Sequence, residues 1–366
     1  MSHLTIGFIG LGLIGGSIAK ALRQAYSDCH IVAYDINTAP LIQARTEGII
    51  NELATADFTA FSACNYLFLC APVSHNDENL RLIQNIISPS CILTDVGSVK
   101  ATTHQVITEL GLERQFIGGH PMTGSERIGF SNSKALFLEN AYYILTPTTQ
   151  TSPEQLAACK QLVAAMGAIP LVMGDSHHDY ITGAVSHLPH IIAACLVNLI
   201  QASDDEEERM KMIAAGGFKD ITRIASSSPE MWQQICLTNT DNILQLLKSY
   251  ISSLLDIKKD LEARDATRLY ELFDHARTYR DSFANTSSGP IKKAYSLTVD
   301  IADRTGALAA VVALLARHDI SIKNIGITHN REHAEGALRI EFHQESDILC
   351  ARSLLLEENY MIHEKK

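Results

Sequence analysis

The sequence lacks the cysteine spacing of a metal or disulfide framework. None of its eight cysteines forms a Cys-x-x-Cys pair, and several lie in apolar runs such as residues 67–71. This pattern is typical of buried free thiols in a reducing compartment, and it argues against structural zinc and against disulfides. We therefore expect a cytoplasmic protein without a bound metal.

The sequence also lacks an excess of positive charge. Its 30 Lys and Arg residues against 41 Asp and Glu residues give a formal net charge of -11 at pH 7. Nucleic acids and anionic membrane surfaces are bound by basic faces, so we expect neither partner. No uninterrupted apolar run of about 18 residues suggests a membrane span. The apolar segment 4–21 lacks the basic region of a signal peptide.

Hydrophobic residues make up 46% of the 366 residues, which is enough for sizeable cores in two or three domains. Residues 4–173 alternate short apolar runs with amphipathic stretches. This alternation predicts βαβ units and a Rossmann-type, doubly wound parallel sheet of the α/β class. We predict strands at 5–9, 31–34, 66–70, 91–95, 142–145 and 171–173, and helices at 13–25, 40–47 and 153–166.

The strand pattern disappears between residues 176 and 283, where only helical periodicity remains. A polar stretch with Gly and Pro then predicts a linker. The last segment repeats the order strand, helix, strand, strand, helix, strand, which is the ferredoxin-like βαββαβ pattern. The predicted domains are therefore a Rossmann domain (1–174), an all-helical domain (175–284), a linker (285–293) and a βαββαβ domain (294–366).

The motif Gly10-Leu11-Gly12-Leu13-Ile14-Gly15 follows the first predicted strand and opens a helix, as in dinucleotide-binding sites. Gly10 would make the tight turn, Gly12 would admit the pyrophosphate, and Gly15 would let the helix pack on the strand. The N–H groups at the helix start, including those of Leu13 and Ile14, would then meet the anion. Asp35 ends the second predicted strand. It would accept hydrogen bonds from the ribose hydroxyls and would repel the 2′-phosphate of NADP. We therefore predict NAD as the cofactor.

Four further polar segments lie where a doubly wound fold has its ligand crevice. They are 95–100 (DVGSVK), 118–126 (GGHPMTGSE), 186–190 (SHLPH) and 216–223 (GGFKDITR), and the only tryptophan, Trp232, follows shortly after. With these motifs in this order, the chain resembles the prephenate dehydrogenase family, in the form that carries a C-terminal ACT domain. The resemblance covers essentially the whole chain. It implies NAD-dependent oxidation of prephenate to 4-hydroxyphenylpyruvate and CO2.

The resemblance also implies roles for particular residues. His120 matches the family's proton acceptor, a role that suits an imidazole with an unperturbed pKa near 6.5. Ser98 matches a serine between cofactor and substrate, and Arg223 an arginine that grips a substrate carboxylate. The residues expected to line the substrate pocket are His190, Ser125 (where the family usually has Thr), Lys219 and Trp232.

Residue patterns alone leave simpler interpretations open. His120 could be an ordinary loop histidine, Arg223 an ion-pair arginine, and His187 and His190 a pair on one helix face. A His pair spaced i, i+3 can bind metal, but no third ligand has matching spacing, and His177-His178-Asp179 is left unassigned. Thr123, where the family usually has Ala, is a small further departure.

For the rest of the chain the resemblance implies assembly and regulation. The helical domain would close the substrate pocket and form a homodimer, and the broad apolar surface of residues 243–255 agrees in part. The ACT domain would bind L-tyrosine, which would inhibit the enzyme. The residues expected at that site are Asp303, Gly306, Ala307 and Asn324.

Three other functions remain open from the sequence. Arogenate (cyclohexadienyl) dehydrogenase performs the same chemistry on the transaminated substrate. Dehydrogenases of 3-hydroxy acids share the Rossmann and helical domains, but they generally use a lysine on a helix, where this chain offers His120. A non-catalytic NAD-linked amino-acid sensor would not need the set of His120, Ser98 and Arg223, and the intact set argues against it.

Overall fold

The computed structural model describes residues 4–125, 127–283, 295–302, 304–328, 336–342 and 344–363. It divides into two compact units, Met1–Ala266 and Thr267–Lys366. The predicted linker 285–293 and Asp303 lie outside the described residues. The four predicted domain boundaries are not tested by this division and stay predictions.

The first unit begins with a parallel sheet of five strands. They are β1 (Thr5–Ile9), β2 (His30–Tyr34), β3 (Glu52–Leu53), β4 (Tyr66–Leu69) and β5 (Ile92–Asp95). Their order in the sheet is β3-β2-β1-β4-β5, so β1 lies at the centre and the chain winds outward in both directions. This order is typical of a Rossmann fold and confirms the predicted class. The short edge strand β3 was not predicted.

Three more strands form a second sheet in the order β6-β7-β8, with β6 (Ile117–Pro121), β7 (Tyr142–Pro147) and β8 (Ile169–Val172). Strand β6 runs antiparallel to β7, and β7 runs parallel to β8. A parallel bridge between Leu93 and Phe116 joins this sheet to the first. Strand β6 was not predicted, although it contains His120.

Helices cover both faces of the strands. Helix α5 begins with a capping box, because Ser152 and Gln155 bond to each other's backbone and Pro153 occupies the first turn. One core packs Ile18 and Leu22 of the first helix against the sheet, and a second core on the other face contains Leu80 and Ile107. The helices are α1 (Leu13–Ala25), α2 (Thr38–Thr46), α3 (Val73–Ile83), α4 (Ala101–Glu109) and α5 (Pro153–Ala165).

From Asp175 to Glu262 the described chain contains helices and no strands, as predicted. A π-helical segment, Gly183–His187, interrupts the first long helix, and the Leu188 N–H bonds back to the Gly183 carbonyl. Pro189 follows and has no N–H to continue the α-helical pattern. The helices are α6 (Asp175–Thr182), α7 (Leu188–Ser203), α8 (Arg209–Ile213), α9 (Gly216–Thr222), α10 (Pro229–Thr238) and α11 (Thr240–Glu262).

The run Asp175–Ser203 is, by length and composition, apolar enough to cross a membrane. Its most apolar window has a mean hydropathy of 1.6, and 22% of that window is buried within the chain. A single helix of this kind is weak evidence for a membrane span, because length and composition alone do not distinguish a spanning helix from an apolar helix of a soluble protein.

The second unit contains α12 (Ala266–Ser282), β9 (Tyr295–Ile301), α13 (Ala307–Arg317), β10 (Ile322–Thr328), β11 (Gly336–Phe342), α14 (Glu345–Glu357) and β12 (Ile362–His363). Its antiparallel sheet has the order β10-β11-β9-β12, which is the ferredoxin-like arrangement predicted for residues 294–366. The two last helices cover one core, which includes Val299, Val311, Leu338 and Leu355.

Candidate active site

Three glycines shape the turn between β1 and α1, each in a different way. Gly10 has a φ of +93°, and a Cβ there would lie 2.7 Å from the Ala71 backbone nitrogen. A Cβ at Gly15 would lie 2.6 Å from the Gly10 carbonyl oxygen, so this glycine allows the helix to pack closely. A Cβ at Gly12 would meet nothing within 4 Å. The backbone at Gly12 therefore faces open space, where a ligand can approach it.

The start of α1 and the end of β2 meet at the same turn. Helix α1 has Gly12 as its N-cap, without a side-chain acceptor, so the N–H groups around Leu13 and Ile14 have no side-chain cap. Asp35 follows β2, and its carboxylate accepts hydrogen bonds from the Leu11 N–H (2.7 Å) and the Asn37 N–H (2.9 Å). An acidic group thus stands beside a helix N-terminus that favours an anion.

A buried ion pair links the ends of β5 and β6. Lys100 and Asp95 are both fully buried, and the ammonium group contacts the carboxylate. The same two side chains bond to the carbonyl and the N–H of Gly119, at 2.6 and 3.1 Å. Burial lowers the pKa of Lys100, and Asp95 opposes this shift. These bonds fix the backbone immediately before His120.

His120 lies on β6, half-buried, with its Nδ1 2.8 Å from Nε2 of His178. The other nitrogen of His178, Nδ1, lies 2.8 Å from Oδ1 of Asp179. Burial is the main cause that holds the pKa of His120 well below its usual value, and repulsion from Lys100 and from any charge on His178 or His187 adds to it. His120 is therefore a neutral imidazole near pH 7 and can accept a proton.

Two histidines of the SHLPH segment surround Trp232. The His190 ring stacks on the indole with centroids 3.6 Å apart, and the His187 ring meets it edge-on at 6.0 Å. Nδ1 of His190 lies 2.8 Å from the Ser186 carbonyl, so this nitrogen carries the hydrogen and Nε2 is left as an acceptor. His187 is buried and lies 3.0 Å from the Asn239 amide, and burial lowers its pKa to about 4.

The remaining predicted residues differ in how closely the structure ties them to this group. Arg223 begins a short 3-10 helix, and its charge is near enough to lower the pKa of His190, after the larger effect of burial. Ser98 is half-buried in the loop between β5 and α4. Ser125 and Lys219 are exposed, and among the described residues neither hydrogen-bonds to His120.

Sequence reasoning missed the residues behind His120. His177-His178-Asp179 was considered only as a possible ligand set, yet His178 and Asp179 are buried, His178 bonds to His120, and Asp179 bonds to His178. The described residues include no group of three or more His, Cys, Asp or Glu that could hold a metal ion. The available signal was a His-Asp pair at the start of the helical segment, but the sequence does not show which residue it faces.

Two family models match the chain. Their descriptions are "Prephenate dehydrogenase, nucleotide-binding domain", over residues 18–171, and "Prephenate dehydrogenase, dimerization domain", over residues 175–275. The chain is 37% identical over 348 residues to the prephenate dehydrogenase of Bacillus subtilis (strain 168), covering 94% of this chain and 93% of the relative. It is 33% identical over 354 residues to that of Lactococcus lactis subsp. cremoris (strain MG1363), covering 95% and 96%.

A solved structure gives the same result. The crystal structure of prephenate dehydrogenase from Aquifex aeolicus in complex with hydroxyphenyl propionate and NAD+ superposes with a TM-score of 0.72 at 33% identity. The match covers 77% of this chain and 99% of that one. The chain belongs to the prephenate dehydrogenase family.

Proposed function

We propose that this protein oxidises prephenate with NAD and releases 4-hydroxyphenylpyruvate and CO2. The observation that carries the proposal is the half-buried His120, fixed on β6 and bonded to His178 in a chain of this family. The A. aeolicus relative holds NAD+ together with hydroxyphenyl propionate, which shares the aromatic hydroxyl and the side-chain carboxylate of the proposed product.

The turn after β1 is the proposed cofactor site. The pyrophosphate would lie against Gly12 and the N–H groups of Leu13 and Ile14, because no protein atom comes within 4 Å of a Cβ built at Gly12. Gly10 and Gly15 hold the turn. Asp35 would accept hydrogen bonds from the ribose hydroxyls of NAD and would repel the 2′-phosphate of NADP. When bound, NAD supplies the acceptor for the hydride.

The protein's part in the reaction is to hold the substrate and to accept one proton. His120 takes the proton of the ring hydroxyl while the hydride leaves the same carbon. The ring carboxylate departs as CO2, its bonding electrons complete the aromatic ring, and the phenolate oxygen that results takes the proton back from His120. Neither a metal nor a strong acid is required. Ser98 orients the hydroxyl or His120.

The wall of the substrate pocket is formed by the residues that were predicted to bind the substrate. Arg223 binds a carboxylate of the substrate, since a guanidinium presents two parallel N–H donors. His190 and Trp232 form one side of the pocket, with Nε2 of His190 as an acceptor. Ser125 and Lys219 complete the proposed lining, and both are exposed in the single chain.

The functional form is a homodimer. Helix α11 leaves Ile251, Leu254 and Leu255 each about half exposed, and α7 leaves Leu199 59% exposed. Exposed apolar surface of this kind is typical of an interface, and the matching family model is described as a dimerization domain. The same surface explains why the run Asp175–Ser203 is so apolar. The eight free cysteines support a cytoplasmic location.

The C-terminal βαββαβ unit is an ACT domain that binds L-tyrosine and inhibits the enzyme. Gly306 has a φ of +89° at the N-terminus of α13, and a Cβ there would meet nothing within 4 Å, so a ligand can approach the helix start. Ala307 begins that helix, and Asn324 is exposed on β10. Asp303, the fourth proposed contact, lies outside the described residues.

Removal of the chain from about residue 290 onward tests this regulation. Both family models end by residue 275, and the match to the A. aeolicus structure covers 77% of this chain. The shortened enzyme should turn over prephenate and ignore tyrosine. Asn324→Ala should weaken inhibition and Lys323→Ala, its exposed neighbour, should not. Full inhibition of the shortened enzyme would mean that tyrosine acts at the substrate pocket.

The activity itself is tested by NADH absorbance with prephenate and arogenate as rival substrates. The proposal predicts that prephenate has the higher kcat/KM and that NAD is preferred to NADP. A higher kcat/KM for arogenate would establish the runner-up activity. Binding of NAD without turnover of either acid would favour a sensor.

A further inference from the structure

His178 and Asp179 form a buried path that leads away from His120. Both side chains lie on α6, with residue exposures of 0% and 1%. His178 stands between the other two, 2.8 Å from a nitrogen of His120 on one side and 2.8 Å from a carboxylate oxygen of Asp179 on the other. Nothing in the proposed substrate or cofactor contacts requires this arrangement.

The hydrogen positions along this path follow from its Asp179 end. The two carboxylate oxygens accept the backbone N–H groups of Lys100 (2.8 Å) and Ala101 (2.9 Å), at the N-terminus of the nine-residue helix α4. These donors and the helix dipole favour an ionised carboxylate. An ionised carboxylate only accepts hydrogen bonds, so the hydrogen between Asp179 and His178 belongs to Nδ1 of His178.

The hydrogen positions on His178 and His120 follow from this assignment. A neutral His178 with its hydrogen on Nδ1 has a free electron pair on Nε2, which can only accept. The hydrogen between the two rings therefore belongs to Nδ1 of His120. This leaves the electron pair of His120 on Nε2, the nitrogen that no described hydrogen bond uses.

We propose that His178 and Asp179 are positioning residues that fix the tautomer of His120 and share the proton it receives. The inference rests on the proposed function. When Nε2 of His120 takes the hydroxyl proton, its Nδ1 proton can pass to Nε2 of His178. The positive charge then lies beside the carboxylate of Asp179, while the hydride and the carbon dioxide leave on the substrate side.

The charges around His120 favour this path. Lys100 faces His120 from the α4 side, but its charge is paired with Asp95. His187 faces it from the π-helical segment, and burial keeps this ring neutral at pH 7. His104, on α4, is bonded to Thr146 instead. Among the described groups around His120, Asp179 is therefore the one carboxylate that reaches this ring through a single hydrogen-bonded side chain, that of His178.

The opposite placement of the hydrogen on His120 can be distinguished by experiment. If His178 carried a positive charge in the resting enzyme, it would donate to Nδ1 of His120, whose hydrogen would then sit on Nε2. In that state His120 has no electron pair facing the substrate. Nitrogen-15 NMR of the histidine-labelled enzyme distinguishes the two states: we expect the Nδ1–H tautomer at His120 near pH 7. An Nε2–H tautomer would overturn the inference without any variant.

Variants give the kinetic test. His178→Phe removes the acceptor and should lower kcat by roughly 10- to 100-fold, the range for a lost hydrogen bond to a charged group. KM for prephenate and Kd for NAD should stay within about threefold, since His178 touches neither ligand. His178→Gln should recover part of kcat, because its carbonyl can accept from His120. The matched control, His104→Phe, removes a half-buried histidine outside the path and should leave kcat near the wild-type value.

The pH profile separates this role from a purely structural one. Without its acceptor, a protonated His120 is less stable, so the acidic limb of kcat should move to lower pH in His178→Phe. If His178 were instead charged, it would repel the proton on His120. Removing the His178 side chain would then move the acidic limb of kcat to higher pH. That direction, or an unchanged kcat in a variant whose thermal unfolding is normal, would overturn the path. A wild-type enzyme that makes no NADH from prephenate would instead refute the proposed function.

Discussion

The turn after β1 permits a quantitative test, because its glycines differ in what surrounds them. A Cβ at Gly15 would lie 2.6 Å from the Gly10 carbonyl oxygen, whereas ordinary contacts begin near 3.4 Å, so the loop or helix must move by about 0.8 Å. Overpacking of this kind costs roughly 1–3 kcal/mol. Gly15→Ala should therefore lower Tm by roughly 2–12 °C at 2–4 °C per kcal/mol.

Gly12→Ala should weaken NAD binding and leave the stability of the protein nearly unchanged. Gly12 has a φ of -81°, which an alanine adopts without strain, and its Cβ would meet no protein atom within 4 Å. The Tm without NAD should stay within roughly 4 °C of the wild-type value, since Gly-to-Ala changes at compatible sites are worth less than about 1 kcal/mol, at 2–4 °C per kcal/mol. The methyl group would occupy the space proposed for the pyrophosphate, so Kd for NAD should rise at least about tenfold.

Thermal unfolding with and without NAD, together with calorimetric titration, measures both effects. The distinguishing result is an NAD defect at Gly12 without a stability defect. Normal NAD binding by Gly12→Ala would refute the placement of the pyrophosphate, and a large loss of Tm in that variant would contradict the open space seen at this position.

Four further predictions concern the reaction. His120→Asn should lose roughly 10²-fold or more in kcat while Kd for NAD stays unchanged; a near-normal kcat would remove His120 from the role of base. Because burial lowers the pKa of His120, the neutral base persists below about pH 6.5. The profile of kcat/KM should thus be flat from about pH 8 to 6.5 and fall only at lower pH, and an acidic limb above 7 would contradict this. Asp35→Ser should raise kcat/KM with NADP relative to NAD by roughly tenfold, about 1.4 kcal/mol; an unchanged ratio would mean that Asp35 does not select the cofactor. Arg223→Ala should raise KM for prephenate by roughly tenfold or more, and an unchanged KM would exclude it as the carboxylate clamp.

The sequence predicted the larger part of the fold because its signals are local. Apolar runs marked six of the eight strands of the α/β region, and the glycine motif located the turn that leads into α1. The two missed strands lack such runs. Strand β6 has the sequence IGGHP, which is poor in strand-forming residues. Its position depends on pairing with β7 and on the bonds of Gly119 to Asp95 and Lys100, which come from a distant part of the chain.

The same distinction applies to the candidate site. The resemblance supplied His120, His190, Trp232 and Arg223, which lie in recognisable motifs. The partner of His120 was not predicted, because His178 is 58 residues away and adjacent histidines carry no sign of their direction. The buried environment that lowers the pKa of His120 is likewise a property of the packed structure.

The most direct test of the central claim is a structure of the enzyme with NAD and a hydroxyphenyl acid bound. The account predicts Nε2 of His120 within about 2.6–3.2 Å of the ligand hydroxyl, the distance needed for proton transfer. It also predicts the pyrophosphate against Gly12 and the ligand carboxylate at Arg223. A complex in which the hydroxyl lies away from His120, or the nucleotide away from the turn after β1, would contradict it.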